Sequence, residues 1–213
     1  MDVSLIHGIS GYVVFVAGLL QYLLKKGTKT HRIIGKAYLL TWFVLVASGA
    51  AVGGLLITFL GLFGLYYAIS GTRFAMVKAP PKTLFDKILV ITGLLCAISI
   101  CVSAIYFLTK GNVNFGVIFS VFGLIFGVNV TKDVLSLFTQ KNYHQLSGNK
   151  MQWYFEHYTR YTISFIAALT AFSAIQNITG IVVVNWLLPT VLGTGYLFLM
   201  GKKHRKQFRI KTQ

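Results

Sequence analysis

Long apolar runs, separated by short polar or small-residue connections, dominate the pattern of this chain. Most of these runs approach the length at which a helix crosses the hydrocarbon core of a bilayer, about 20 residues. The pattern therefore predicts an all-α, polytopic transmembrane helix bundle of about seven helices, forming a single domain over residues 1–200. The predicted spans are residues 5–24, 33–52, 55–71, 86–108, 115–131, 161–178 and 181–200.

The connections between these runs alternate strongly in charge. Residues 25–36, 72–87, 132–160 and 201–213 hold 19 of the 20 lysines and arginines, whereas the opposite-side segments hold only Lys110. Positive charge accumulates in the cytoplasmic loops of membrane proteins. We therefore predict that the N-terminus lies outside and the C-terminus inside, with a cytoplasmic loop at 132–160 and a basic cytoplasmic tail at 201–213.

Composition supports a membrane protein and excludes a nucleic-acid-binding one. Of the 213 residues, 55% are hydrophobic and only 11% are charged, whereas soluble domains have about 25% charged residues. The net charge of +16 lies in short connections rather than on one soluble face. It predicts the lipid bilayer and anionic lipid headgroups as partners, and the inner cell membrane as the location.

Small residues predict how some of the helices pack. The turn at 49–54 predicts a tight hairpin between the second and third spans. A ridge on the fifth span consists of Gly116, Ser120, Gly123 and Gly127, and such ridges let helices approach closely. The same features leave a homo-oligomer or a larger membrane complex possible.

The inventory of reactive residues excludes several classes of protein. None of the four carboxylates falls at the centre of a predicted span, which disfavours ion-coupled transport. No nucleotide-binding glycine loop, CxxC or HExxH motif occurs. Cys96 and Cys101 lie five positions apart in one helix, too far around it to bridge, so we interpret them as packing residues.

Two histidines are the main candidates for chemistry. His31 begins the second span and His157 precedes the sixth, which places both at the same predicted cytoplasmic depth. Imidazole ligates metal ions and haem iron, so the pair could form a haem or metal site. The alternative is that both histidines bond backbone or lipid headgroups at the interface.

Other charged and histidine residues have supporting roles or none in this hypothesis. Lys36 lies near the pair, and Glu156 and Arg160, one helical turn apart, could form an ion pair that orients it. His7 lies at the outer end of the first span, about a membrane thickness from His31, so the two cannot share an ion. The remaining histidines are predicted to be solvated: His144 and His204.

Two stretches resemble a known family. KGTKTHRIIGKAY follows His7 and a basic turn, and HYTRYTISFIAAL carries a histidine and an arginine three residues apart. This pattern resembles the bacterial multi-pass membrane proteins grouped as domain of unknown function 2306, best over residues 7–40 and less closely over 150–172. No activity is established for the members of that family. The resemblance implies a multi-pass membrane protein whose site includes His7, His31, Arg32, Gly35, His157 and Arg160.

Three functions remain open from the sequence. The first is a redox membrane protein that binds haem b or a metal ion at the cytoplasmic-side histidines. The second is an accessory or structural subunit of a membrane complex, and the third is a transporter of an uncharged or lipid-like substrate. No particular enzymatic activity is predicted.

Overall fold

The computed structural model describes residues 2–78, 83–138 and 151–209, and the regular structure in these ranges is entirely helical. It confirms the predicted all-α bundle. We number the helices α1 (Val3–Leu23), α2 and α3 (the two arms of Lys29–Val77), α4 (Leu84–Thr109), α5 (Val113–Phe138), α6 (Gln152–Gln176) and α7 (Val182–Arg209).

Several of these helices can span a membrane. Within the described residues, five stretches are long and apolar enough, which supports a multi-pass membrane protein. They are Val3–Leu23, Lys29–Gly54, Leu84–Thr109, Val113–Phe138 and Val182–His204.

A glycine hinge divides α2 (residues 29–53) from α3 (residues 55–77). Gly54 has φ 70° and ψ −172°, a conformation that glycine adopts without the steric cost of a side chain. Beyond the hinge, a Cβ at Gly61 would lie 3.3 Å from Val46, and one at Gly64 would meet the Trp42 ring. These contacts pair positions about equally distant from the turn. The arms are therefore antiparallel, which confirms the predicted hairpin.

Helices α4 and α5 form a second close hairpin. Gly111, with φ 75°, lies in the turn between them. A Cβ at Gly123 would lie 2.8 Å from the Cys101 sulfur, so this residue of the small-residue ridge packs directly on α4. Both cysteines are free thiols, and Cys96 is buried in the same core. The predicted packing role of the ridge is confirmed at this position.

Two hydrophobic cores hold the bundle together. One joins α3, α4 and α5 around Phe63, Phe122 and Phe126. The other joins α1, α2, α3 and α6 around Tyr38 and other buried residues. Helix α6 packs against α1, the α2–α3 hairpin and α7, so its side chains reach several neighbours. This central position makes α6 the helix on which polar groups are most readily buried.

The helices around the predicted loop 132–160 are longer than the sequence suggested. Helix α5 continues to Phe138, and α6 begins at Gln152, nine residues before the predicted span. Residues 132–138 and 152–160 of the predicted loop are therefore helical. Residues 139–150, which include His144, lie outside the described residues.

Helix α7 also extends beyond its predicted end. It runs without a break to Arg209, so the boundary predicted at residue 200 does not coincide with a helix end. The His204 ring lies 5.6 Å from the rings of Tyr154 and Tyr158, centroid to centroid. Instead of being free in solvent, as predicted, this histidine contacts aromatic side chains of α6.

One end of the bundle gathers most of the polar groups, and we call it the basic end. The connection from α1 to α2, the end of α3, the start of α6 and the end of α7 all meet there. It corresponds to the side that the charge pattern predicts to be cytoplasmic.

Candidate functional site

A cavity of about 490 Å³ opens at the basic end between α1, α2, α3 and α6. Its volume falls in the range of small-molecule and cofactor sites. Six aromatic side chains form much of its wall: Tyr22, Trp153, Tyr154, Tyr158, Tyr161 and Phe165. Its polar lining includes Gln21, Lys26, His31, Arg32, Lys78 and His157. We call it the histidine cavity.

His157 is held in one orientation by the backbone of α3. Its Nδ1 lies 2.8 Å from the carbonyl oxygen of Gly71. A carbonyl oxygen only accepts, so Nδ1 donates the hydrogen and a neutral ring carries its lone pair on Nε2. Metal-binding and haem-binding histidines commonly donate their second nitrogen in this way.

A glycine makes that hydrogen bond possible. A Cβ at Gly71 would lie 3.1 Å from the Cβ of Arg160 and 3.2 Å from the backbone nitrogen of Tyr161. Only a residue without a side chain lets α3 approach α6 this closely. The position of His157 therefore depends on a small residue of a neighbouring helix.

His31 lies in the first turn of α2. The Thr28 side chain caps this helix and accepts a hydrogen bond from the His31 backbone nitrogen at 3.2 Å. The Gln21 side chain donates to the His31 carbonyl at 3.1 Å. The imidazole Nδ1 is buried and has no hydrogen-bond partner among the described residues. A ligand or a water molecule in the cavity would satisfy this nitrogen.

Ordered aromatic residues form the floor of the histidine cavity. The Tyr161 hydroxyl donates to the Gly35 carbonyl at 2.8 Å, and its ring lies 5.3 Å from His157 and 4.8 Å from Tyr38, between centroids. The Tyr38 and Ser164 hydroxyls are 2.7 Å apart. These bonds fix the rings, so the floor is rigid and largely apolar.

A second polar cluster, which we call the ion network, also involves α6. Arg160 binds both oxygens of Asp133, at 2.8 and 2.5 Å, and its Nε lies 3.1 Å from Glu156. The Tyr66 hydroxyl also donates to Asp133. The predicted pairing of Glu156 with Arg160 is confirmed, but the main partner of Arg160 is the buried Asp133.

A further ion pair extends this network to α4. Arg73 binds Asp86 at 2.7 and 2.8 Å, and Asp86 forms a capping box with Thr83 at the start of α4. A cavity of about 20 Å³, lined by both ion pairs, separates Asp86 from Asp133. It can hold about one water molecule.

The structure brings together some of the predicted site residues and separates others. His31, Arg32 and His157 line one cavity. Glu156 and Arg160 belong to the ion network, and Gly35 contacts the cavity floor through Tyr161. Lys36 is exposed and does not line the cavity.

His7 lies at the opposite end of the bundle from the histidine cavity. Its Nδ1 is 3.2 Å from the Leu45 carbonyl and 3.3 Å from the Ser48 hydroxyl. These bonds join α1 to α2. The prediction that His7 and His31 do not share a site agrees with their placement.

Sequence reasoning missed several contributors to both polar regions. Lys26, Lys78 and Tyr161 line the cavity because of how the helices and the α1–α2 connection are oriented, which apolar runs do not specify. Asp133 was placed in a loop, yet it is 1% exposed within α5. The only signal in the sequence for the burial of Asp133 was its position just after the apolar run of α5. A carboxylate in a helical extension of such a run requires a partner.

The donor set suits haem iron better than a bare ion. Within residues 2–78, 83–138 and 151–209, no group of three or more histidine, cysteine or acidic side chains could hold a metal ion. Haem iron already has four porphyrin nitrogens and needs only one or two protein ligands. Two imidazoles would therefore be enough protein ligands for a haem iron, and an aromatic wall would suit its porphyrin ring.

Comparison with protein-family models, with curated proteins and with solved structures finds no match for this chain. The resemblance of residues 7–40 to the family with domain of unknown function 2306 stays a prediction.

Proposed function

We propose that this multi-pass membrane protein binds haem b in the histidine cavity and acts as a redox protein. One observation carries the proposal: two histidines from different helices line one aromatic cavity, where His31 Nδ1 has no partner among the described residues and His157 uses Nδ1 on Gly71, which leaves Nε2 for a ligand. His157 and His31 are the proposed iron ligands. The haem would supply one-electron chemistry, and the protein would hold and orient it.

The polar environment supports His157 as the stronger of the two ligands. The bond from its Nδ1 to the Gly71 carbonyl raises the basicity of Nε2 and limits ring rotation. His31 has no such anchor on its ring. Loss of His157 should therefore abolish binding more completely than loss of His31.

The charge pattern supports a location of this site on the cytoplasmic side of the inner membrane. The histidine cavity opens at the basic end, where Lys26, Arg32 and Lys78 lie. Under the positive-inside rule this end faces the cytoplasm. Soluble electron donors or acceptors would then reach the haem from that side.

The proposal is tested by the absorption spectrum of protein purified from haem-supplemented cells. We expect a Soret band and reduced-minus-oxidised bands of a b-type haem in the wild type. His157→Ala and His31→Ala should each lower haem affinity about tenfold or more, since even an outer-shell partner is worth about that much. Reconstitution of apoprotein with haem gives the affinities.

His7→Ala is the matched control, because it removes a half-buried histidine at the opposite end of the bundle. This variant should retain the wild-type spectrum. Absence of a Soret band in wild type that is folded and exposed to haem would contradict the proposal. Haem that persists in both cavity variants would contradict the assigned ligands.

Two alternatives are less well supported by the cavity. Transport of a lipid-like substrate would use the same aromatic wall but gives no role to the paired imidazoles. An accessory-subunit role gives no role to the cavity at all. Each becomes the better explanation if the spectrum lacks haem.

A further inference from the structure

The histidine cavity carries three cationic side chains, which we call the cationic rim: Lys26, Arg32 and Lys78. They come from the α1–α2 connection, the first turn of α2 and the end of α3. Arg32 and Lys78 are exposed while also lining the cavity. The rim therefore lies where the cavity meets its surroundings, next to aromatic side chains of the wall.

No side-chain carboxylate of this chain neutralises the rim. The sequence contains four acidic residues, and all lie within the described part. Asp2 caps α1 at the opposite end, Asp86 binds Arg73, and Asp133 and Glu156 bind Arg160. Positive charge at the cavity is thus unmatched from within the protein.

The rim cations make weaker contacts in place of ion pairs. Lys78 Nζ lies 5.0 Å from the centroid of the Trp153 ring. Lys26 Nζ donates to the Gln21 carbonyl, and desolvation lowers the pKa of Lys26 from its ordinary value. The Arg32 guanidinium has no hydrogen bond or ion pair with a described residue. An anion at the rim would gain charge-assisted hydrogen bonds that the protein does not supply.

The α2 helix adds to the positive potential. His31 and Arg32 lie in its first turn, where the partial positive charge of the helix dipole favours an anion. Below the rim the wall is aromatic, so the complementary ligand is a flat apolar body with acidic groups on one edge. Haem b has this form, with two propionates on one edge of the ring.

We infer that the cationic rim recognises a dicarboxylate edge, so that the ligand enters with its propionates at Arg32 and Lys78 and its ring among the aromatic side chains. This inference rests on the proposed haem binding. It adds a specificity that the histidines cannot give, because imidazoles bind iron regardless of the charge on the porphyrin edge.

The experiment compares haem b with its dimethyl ester, in which both propionates are neutral. Purified apoprotein in phosphatidylcholine nanodiscs is titrated with each, so that no lipid with net charge competes for the rim. Esterification should weaken binding to the wild type about tenfold to a hundredfold, the range for charge-assisted hydrogen bonds. Arg32→Gln and Lys78→Gln should weaken haem b binding but leave ester binding nearly unchanged.

Lys36→Gln is the matched control. It removes one positive charge from α2 one turn beyond Arg32, and its side chain is exposed and does not line the cavity. It should bind both ligands like the wild type. An equal effect of Lys36→Gln would show a general charge effect and overturn the inference.

The outcomes separate this inference from the proposed function. If haem b and the ester bind equally tightly and the rim variants have no effect, the dicarboxylate inference fails while haem binding stands. If neither porphyrin binds to folded protein, the proposed function fails and the inference fails with it.

Discussion

The ion network and the histidine cavity both involve α6 at the basic end, but they differ in how completely their polar groups are paired. Arg160 is 5% exposed and uses Nε, Nη1 and Nη2 on Asp133 and Glu156. In the cavity, the His31 Nδ1 has no described partner, and the cationic rim has no carboxylate.

This difference separates a structural polar cluster from a binding site. A buried polar group without a partner costs about 1–3 kcal/mol, so a chain tolerates one most readily where a ligand completes the bonds. The ion network needs no ligand, because each of its charged side chains is paired with one of opposite charge within the protein. The histidine cavity has unmatched donors, acceptors and charge around open space.

The largest expected effect comes from breaking the ion network. Asp133→Leu leaves the buried Arg160 with only the half-exposed Glu156 as a counter-charge. Removing one partner of a buried pair costs about 3–5 kcal/mol. Unfolding of the purified variant in detergent, followed by circular dichroism, measures the loss.

The double variant Asp133→Leu, Arg160→Leu is the control for that measurement. It leaves only Glu156, which is partly exposed to its surroundings, without its ion pair, so it should recover much of the lost stability. A single variant as stable as the wild type would contradict the description of this pair as buried and structural.

A smaller effect is expected from replacing Gly71 of α3. This glycine packs against Arg160 of the ion network, and its carbonyl accepts the His157 hydrogen bond in the histidine cavity. Gly71→Leu places a side chain against the Cβ of Arg160 and the backbone of Tyr161, and the backbone cannot yield easily. Overpacking of this kind costs about 1–3 kcal/mol. It should also weaken the His157 bond to the Gly71 carbonyl, so haem affinity should fall together with stability.

Gly127→Leu is the matched control, since a Cβ at Gly127 meets nothing within 4 Å. Its stability should stay within about 0.5 kcal/mol of the wild type. Equal losses in the two glycine variants would mean that close packing of α3 on α6 is not the cause.

Much of this architecture could be predicted from the sequence, because hydrophobic length and loop charge are local properties. They identified the helical hairpin at Gly54 and placed His31 and His157 at one depth. The charge pattern also singled out Arg32 as a neighbour of His31, and both residues line the cavity.

The partners of these residues could not be predicted in the same way. Whether Arg160 meets Asp133, 27 positions earlier, depends on the rotation of α5 relative to α6, and nearly continuous apolar runs do not specify rotation. Glu156 was found because it lies one turn away on the same helix. The sequence likewise does not reveal that Trp153 and Tyr161 of α6 line a cavity.

The smallest expected change in stability gives the sharpest test of the difference between the ion network, whose polar groups are paired, and the histidine cavity, whose polar groups are not all paired. His31→Leu removes a buried ring nitrogen that has no described partner, so the haem-free variant should be as stable as the wild type or up to about 1 kcal/mol more stable. His157→Leu, in comparison, loses the bond to Gly71 and should cost about 1 kcal/mol. Unfolding of both apoproteins measures this difference, while both variants should bind haem about tenfold more weakly or worse. A His31→Leu variant that is clearly destabilised would show that His31 has a structural partner, and the cavity would then resemble the ion network rather than a ligand site.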